Sequence, residues 1–451
     1  MNQVKPAHVG YFFGLSVVEL AAQLRTGRVT SVELTQAALD SIERLNPTLN
    51  AFVQLDAPVA LAQARKADEL LAHGRDLGPL HGIPVAVKDN IDTSDYITTY
   101  GSAHFEGFRP RRDALCVQRV REAGGVIVGK TLTHEFAYGP TGDRSLQGAA
   151  HNPWDPRCMT GGSSAGSAAA VASGMVPLAL GTDTGGSVRI PSALCGAVGF
   201  KPSYAAVPLD GVFPLSTSLD HVGPIANSVE DARLLFEVLS ARACAPTIPE
   251  PGTLRVGWIA SGSFGPVDTA VDQQVYLTAQ QLFGDTLQEV TELAAVAAGM
   301  KETLGMLQRA EAFDVHAERM QQAPQLFDPE VRARLELSQE VRGWQYIRAQ
   351  ATQQQYQAQM ASLFERYDLL LSPSVPIIAP AVNAREVRLE EQDIDVRAAV
   401  LSYTSPWNLT GLPAISLPAG QVRGMPVGLQ VIAAAGEDDR LLQLLSHNTA
   451  T

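Results

Sequence analysis

Gly161-Gly-Ser163-Ser-Ala-Gly-Ser167 and Gly181-Thr-Asp-Thr-Gly-Gly-Ser187-Val-Arg-Ile-Pro-Ser192 place two Gly-Gly-Ser turns 24 residues apart. Between them Ala168-Ala-Ala-Val-Ala172 favours a helix, and Pro177-Leu-Ala-Leu180 reads as a buried strand. Turn, helix, strand and turn in so short a span indicate an α/β core. Glycine has no Cβ, so paired glycines before a serine let successive backbone N–H groups converge on one point, as an oxyanion requires. The chain has 38 glycines, an ordinary total, yet 15 of them fall within residues 121–200.

The pattern continues on both sides of this block. Residues 1–80 read as helical. Ser16-Val-Val-Glu19 and Thr30-Ser-Val-Glu33 are capping-box signatures, Gly27 is placed to end the first helix and Pro47 to follow the second, and a third run at about 57–73 stops at Gly74. Ile83-Pro-Val-Ala-Val-Lys88 is a buried strand, residues 113–123 a helix ending at Gly124-Gly125, and Val126-Ile-Val128 a strand. Ser228 caps a helix running to about 240, and 240–252 is a surface connection. Leu254–Ile259 and Leu369–Pro373 read as strands, about 269–365 as Gln-rich helices, and about 438–446 as the last helix. These elements make one α/β unit over 1–451: an N-terminal helical part (1–80), a core (81–240), a mostly helical part (241–365) and a return to the core (366–451).

Composition excludes several function classes. With 451 residues, 45% hydrophobic and only 18% charged, the chain buries a large core and is not disordered. A net charge of −13 argues against nucleic acid or an anionic membrane as partner. Four cysteines without a CxxC pair suit neither a disulfide scaffold nor structural zinc. Met1-Asn-Gln-Val-Lys5 lacks a signal-peptide apolar segment, and no run of ~18 apolar residues occurs, so a cytoplasmic protein is expected.

Three motifs compete for the chemistry. Gly124-Gly-Val-Ile-Val-Gly129-Lys130-Thr131 fits the P-loop pattern, which would make the chain a nucleotide-binding protein using Lys130, but a helix precedes the motif and Val-Ile-Val favours a strand where a loop is needed. Gly162-Ser-Ser164-Ala-Gly166 fits a nucleophile elbow with His221 or His316 as base, but no strand leads into it. The third reading joins Ser163 and Ser187 to Lys88. A lysine ending an apolar strand loses solvation, and this lowers its pKa from ~10.4 toward that of a base.

With these residues in view, the sequence resembles the amidase signature family. The likeness runs from His81-Gly-Ile-Pro-Val-Ala-Val-Lys-Asp-Asn90, through Gly129-Lys-Thr131, Glu135-Phe-Ala137 and the two Gly-Gly-Ser turns, to Gly196-Ala-Val-Gly-Phe-Lys-Pro-Ser203. It continues through Ser218-Leu-Asp-His-Val-Gly-Pro-Ile-Ala-Asn-Ser-Val-Glu-Asp231, Asn408-Leu-Thr-Gly-Leu-Pro-Ala-Ile-Ser416 and Pro426-Val-Gly-Leu-Gln-Val431. The resemblance implies a large twisted mixed β-sheet covered by helices on both sides. It implies Ser187 as nucleophile, Lys88 as base, and Ser163 as the bridging serine after a cis peptide bond at Gly162. Oxyanion donors would be the N–H groups of Thr184, Gly185, Gly186 and Ser187, with Asp183, Arg189 and Ser164 supporting the turn. No cofactor and no metal are implied. The family block usually reads Gly-Gly-Ser-Ser-Gly-Gly-Ser, and this chain has Ala165 at its fifth place, which is harmless unless that residue needs a positive φ. His81, His134 and His221 are expected to be satisfied structural histidines.

Members of that family cleave small, aryl, fatty-acid and peptide C-terminal amides, ureas and carbamates, and many cleave esters. A small or aryl amide, with esters and carbamates (a urethanase-like scope) as further substrates, is the expectation here. Phe136, Tyr138, Phe213 and Leu215 are expected apolar pocket residues. The alternative within the family is the A component of a glutamine-dependent amidotransferase, which needs partner subunits and a clamp for the glutamine carboxylate.

Overall fold

The computed structural model describes residues 6, 9–243, 254–284, 287–389 and 391–449. The connection expected at 240–252 falls mostly outside them. At the N-terminus the caps form as the sequence dictates. The Ser16 hydroxyl accepts the Glu19 N–H at the head of helix Val17–Arg25, and Thr30 and Glu33 complete both halves of a capping box on helix Ser31–Leu49. Pro47 lies inside the last turn of that second helix rather than after it. Burial of Leu45 and Leu49, and the Asn46 amide bracketing both backbone groups of Phe52, hold the turn despite the missing N–H. Asn50, at φ 46°, ends the helix.

One sheet of eleven strands organises the described chain. Its strands are β1 (Phe52–Leu55), β2 (Pro84–Lys88), β3 (Val126–Thr131), β4 (Leu178–Thr182), β5 (Val198–Lys201), β6 (Val222–Ala226), β7 (Val256–Ile259), β8 (Gln288–Val290), β9 (Leu369–Pro373), β12 (Ala414–Val422) and β13 (Met425–Ile432). A separate hairpin joins β10 (Glu386–Leu389) to β11 (Gln392–Asp395). The sheet order is β1-β3-β2-β4-β6-β5-β12-β13-β9-β7-β8. Pairing is parallel for β3-β2-β4 and for β9-β7-β8, and antiparallel elsewhere. The sheet is therefore mixed, as expected, with helices flanking it. Strands β2, β3, β4, β6, β9 and β13 are buried along their whole length, and β2, β4 and β9 accordingly read as apolar runs without alternation.

Two expectations need correction. Residues 1–80 are not all helical, because β1 pairs with β3 at the sheet edge; four residues between two helices are too few to show a period. The strand expected at 126–128 continues to Thr131, so Gly129-Lys130-Thr131 is strand and not phosphate loop. The hairpin β12–β13 turns through Arg423 and Gly424, both at positive φ, a turn that suits the twist of its strands.

Candidate active site

The parallel neighbours β2 and β4 end side by side at Lys88 and Thr182, and ligands bind beyond such carboxyl ends in open α/β sheets. Lys88 is fully buried. Its Nζ lies 2.8 Å from Ser163 Oγ, 2.7 Å from Thr182 Oγ1 and 3.5 Å from the Thr182 carbonyl, all neutral groups. Asn90 Nδ2 donates to the same threonine hydroxyl at 3.0 Å and fixes it. Burial pushes the Lys88 amine well below its ordinary value, against the weaker opposing pull of Asp183 and Asp220. Its surroundings therefore favour the uncharged amine. Ser163 follows a cis bond from Gly162, and its carbonyl accepts the His134 N–H at 3.1 Å.

Ser187 sits on the turn after β4 and is 6% exposed. Its carbonyl accepts the Ser164 N–H at 3.1 Å, which ties the two Gly-Gly-Ser turns together. Gly186 has φ +136°, and a Cβ there would come 2.2 Å from Thr404 Oγ1, so no side chain fits. Thr404 Oγ1 in turn donates to the Gly185 carbonyl at 2.7 Å.

Asp183 and Arg189 brace this turn from beneath. Asp183 accepts the N–H groups of Gly186 at 2.8 Å and Val188 at 3.1 Å. Arg189 grips its carboxylate through Nε and Nη2, both at 3.0 Å, and reaches the Thr404 carbonyl, Gln430 and Asn408 with its remaining donors. Both residues are fully buried. Burial acts to raise the Asp183 carboxyl, but the Arg189 charge and hydrogen bonds, Lys201 and Asn408 outweigh it and hold it well below the carboxylate range.

The oxyanion expectation needs one change: the Gly186 N–H is spent on Asp183. Among the described residues, the N–H groups of Thr184, Gly185 and Ser187 have no acceptor and remain candidates.

The competing motifs dissolve in three dimensions. Lys130 is buried in β3, donating to the Ile91 carbonyl and to Thr98 Oγ1, with Asp89 at 3.7 Å, so nothing is left for a phosphate. Ser164 Oγ donates to the Thr182 carbonyl at 3.1 Å and accepts its N–H at 3.2 Å, with no histidine beside it. His81 is satisfied by the Leu77 N–H and the Ala67 carbonyl, and His221 by the Leu219 carbonyl. His134 departs from expectation, because neither buried ring nitrogen has a partner among the described residues. Ala165 does not have a positive φ; it begins helix Ala165–Ala172 without strain.

Phe136, Tyr138, Phe213 and Leu215 do come together. They pack with Tyr100 and Phe327 in one aromatic cluster, with Phe136 and Phe213 ring centres 5.1 Å apart. A cavity of about 720 Å³ is lined by other residues, among them Leu401 and Ser405, toward which Gly185 faces.

A family model described as "Amidase" matches residues 33–442. The chain belongs to the amidase signature family. It is 37% identical to the A component of the glutamyl-tRNA(Gln) amidotransferase of Symbiobacterium thermophilum, with 95% of each chain covered. A solved structure described as an amidase is 35% identical, with TM-score 0.88 and 97% and 99% of the two chains covered. Another, from a vestigial protein complex tied to the origins of an s-triazine catabolic enzyme, is 30% identical with TM-score 0.90, covering 97% and 98%.

Several supports in this amidase-family site were not singled out from sequence. Asp220 accepts Thr184 Oγ1 at 2.6 Å and the N–H groups of Leu215 and Ser216, and so gives the Thr184–Ser187 turn a second carboxylate tether besides Asp183. Burial above all raises it to about 6. Asn90, Thr182, Thr404, Asn408 and Gln430 are the others. All of these except Thr404 stand inside the family-like sequence blocks, but nothing in the linear order marks which side chain meets which loop.

Proposed function

We propose that this chain hydrolyses a carboxamide C–N bond through an acyl-enzyme on Ser187. The observation that carries the reading is the buried Lys88 amine, held 2.8 Å from Ser163 Oγ without a carboxylate in contact. Neutral Lys88 takes the Ser163 proton while Ser163 takes that of Ser187. Ser187 Oγ attacks the carbonyl carbon, and the N–H groups of Thr184, Gly185 and Ser187 receive the developing oxyanion. Ser163 then returns a proton to the leaving nitrogen, the C–N bond breaks, and water releases the acid by the same relay in reverse. Burial favours the uncharged form of Lys88, the form the first step needs.

The identity of the amide divides two readings. The curated relative is the A component of an amidotransferase, and this favours glutamine as amide donor, with partner subunits, over the independent small-amide hydrolase expected from sequence. The similarity to the solved amidase favours the second. Nothing in the comparisons supports esters or carbamates. One experiment separates these readings: hydrolysis by the lone chain of glutamine, small and aryl amides, esters and carbamates, with mass detection of the acyl adduct. An adduct on a residue other than Ser187 overturns the mechanism. Glutaminase activity that appears only with added partner subunits selects the amidotransferase reading.

A further inference from the structure

The mostly helical part between 241 and 365 supplies none of the relay residues, yet one of its buried carboxylates reaches toward the catalytic turn. Glu311 lies on helix Ala297–Gln322. Its Oε2 accepts Ser216 Oγ at 2.6 Å and the Ser218 N–H at 3.1 Å, and its Oε1 accepts Tyr346 Oη at 2.8 Å from helix Gly343–Phe364. Among the described residues, the Ser216 hydroxyl and the Ser218 N–H have Glu311 as their one hydrogen-bond partner. The backbone of Ser216 faces a second carboxylate: its N–H and that of Leu215 donate to Asp220 Oδ2 at 3.0 and 2.9 Å. Asp220 Oδ1 accepts Thr184 Oγ1 at 2.6 Å. An unbroken chain of hydrogen bonds thus runs from Glu311 through Ser216 and Asp220 to Thr184. At the far end of segment 215–221, the His221 N–H and carbonyl bond to the Asp183 backbone at 3.1 and 2.9 Å. Glu311 pins the near end. A second carboxylate beside Asp220 works against its ionisation: burial first, with Glu311 adding to it, raises Asp220 to about 6 against the hydrogen bonds of Thr184, Leu215 and Ser216. Asp220 keeps its charge through those three donors, and Glu311 holds one of them in place.

We propose that Glu311 is a positioning residue of the Thr184–Ser187 turn, acting through Ser216 and Asp220 on Thr184. The inference rests on the Ser187 reading and adds to it a residue from a region in which no functional group was expected. Glu311 itself bonds to no relay residue. It holds the 216–218 backbone so that the Ser216 N–H stays on Asp220 and the Thr184 hydroxyl keeps its acceptor. The Thr184 N–H, a candidate oxyanion donor, is then anchored through its own side chain. A donor stabilises a transition state most when its direction is set before the charge develops. Loss of Glu311 therefore falls on the rate of attack by Ser187.

The test is phosphonylation of Ser187 by a short-chain alkyl fluorophosphonate, followed by intact mass, since this reagent requires no knowledge of the amide. Ser187 Oγ bonds to phosphorus, the P–F bond breaks, the serine proton passes to the relay and leaves with fluoride, and the phosphoryl oxygen gathers charge at the oxyanion donors. Glu311→Leu should slow adduct formation about tenfold, and Glu311→Gln, which keeps an acceptor for Ser216, by no more than about threefold. Ser216→Ala removes only the hydroxyl that meets Glu311; it should reproduce most of the loss and carries the test where Glu311→Leu does not fold. In the Thr184→Val protein the same changes should add less than about twofold, because effects along one chain of contacts are not additive, whereas an unrelated loss of packing multiplies with the first. Multiplying effects in that protein, or unchanged rates in both Glu311→Leu and Ser216→Ala, would overturn the inference. Hydrogen exchange separates this inference from the reading beneath it. Faster exchange at Leu215 and Ser216 in the Glu311→Leu protein supports the positioning, and unchanged exchange there overturns it. An unaltered chain whose Ser187 takes no phosphonyl group overturns the Ser187 reading instead.

Discussion

Two lysines on adjacent strands, Lys88 of β2 and Lys130 of β3, are equally buried, and each donates to a threonine hydroxyl. They differ in what else they face. Lys130 has Asp89 at 3.7 Å, and burial, opposed mainly by that carboxylate, brings it down only to about 8. Lys88 has neutral hydrogen-bond partners only, and burial holds it well below its ordinary value against the weaker pull of Asp183 and Asp220. A nearby carboxylate favours the charged form of a buried lysine, whereas burial among neutral groups favours the uncharged form. The same β-sheet thus carries the lysine of a misleading P-loop match and the lysine of the proposed relay.

The comparison can be broken most forcefully at Ser187, the proposed nucleophile at the end of the Lys88 relay. Ser187→Ala should lower kcat by ~10⁴ or more with the fold retained, measured as amide turnover beside circular dichroism. Lys88→Met should cost about 10³-fold in kcat, and more for amides than for any ester accepted, because an amide nitrogen must be protonated to leave. Its thermal midpoint should hold or rise, since an apolar chain replaces a desolvated amine.

Lys130→Met should do the reverse. Removing the counterion of buried Asp89 is expected to lower stability by about 3–5 kcal/mol in denaturant titration, while the folded fraction keeps kcat within about tenfold. If Lys130→Met instead abolishes kcat without unfolding, the division between the two lysines fails.

The two should also separate by pH. Protonation of Lys88 stops the relay, so kcat/KM falls as pH drops through its lowered folded value, and this acid limb reports Lys88 if the Lys88→Met protein, assayed for its residual activity, lacks it. Lys130 is depressed to about 8 in the folded chain and returns to ~10.4 on unfolding. Between those values the unfolded chain binds more protons, so stability rises with pH across that window, and Lys130→Met should flatten the rise. The smallest expected effect is that of Thr184→Val. It removes the hydroxyl tied to Asp220 and should reduce kcat about tenfold, less than loss of a whole oxyanion donor, with KM little changed.

How much of this was legible along the chain depended on the range of the interactions. Caps at Ser16, Thr30 and Ser228 act over three residues and were readable. The buried strands β2, β4 and β9 were readable as apolar runs. Strands β1, β5, β6, β12 and β13 were not, because short length or internal Gly and Pro hide the pattern until partners are in place. At the site, the Gly-Gly-Ser turns exposed Ser163 and Ser187. The Gly186 N–H was misassigned because its acceptor, Asp183, can be recognised only once the turn is folded. The four expected pocket residues pack together in an aromatic-rich cluster, while the cavity beside Gly185 is built from 263–309 and 397–406, segments far apart in sequence and from the motif.

By itself the sequence determined the α/β class, the two glycine turns and, through family likeness, the residue types of a Ser-Ser-Lys relay. These follow from backbone permissiveness and local apolar pattern, which are properties of neighbouring residues. The tertiary structure alone decided which of Lys88 and Lys130 has a carboxylate beside it and which N–H groups of the Thr184–Ser187 turn have no acceptor among the described residues. Those are matters of desolvation and of charges brought together from distant positions, and they have no value until the chain is folded.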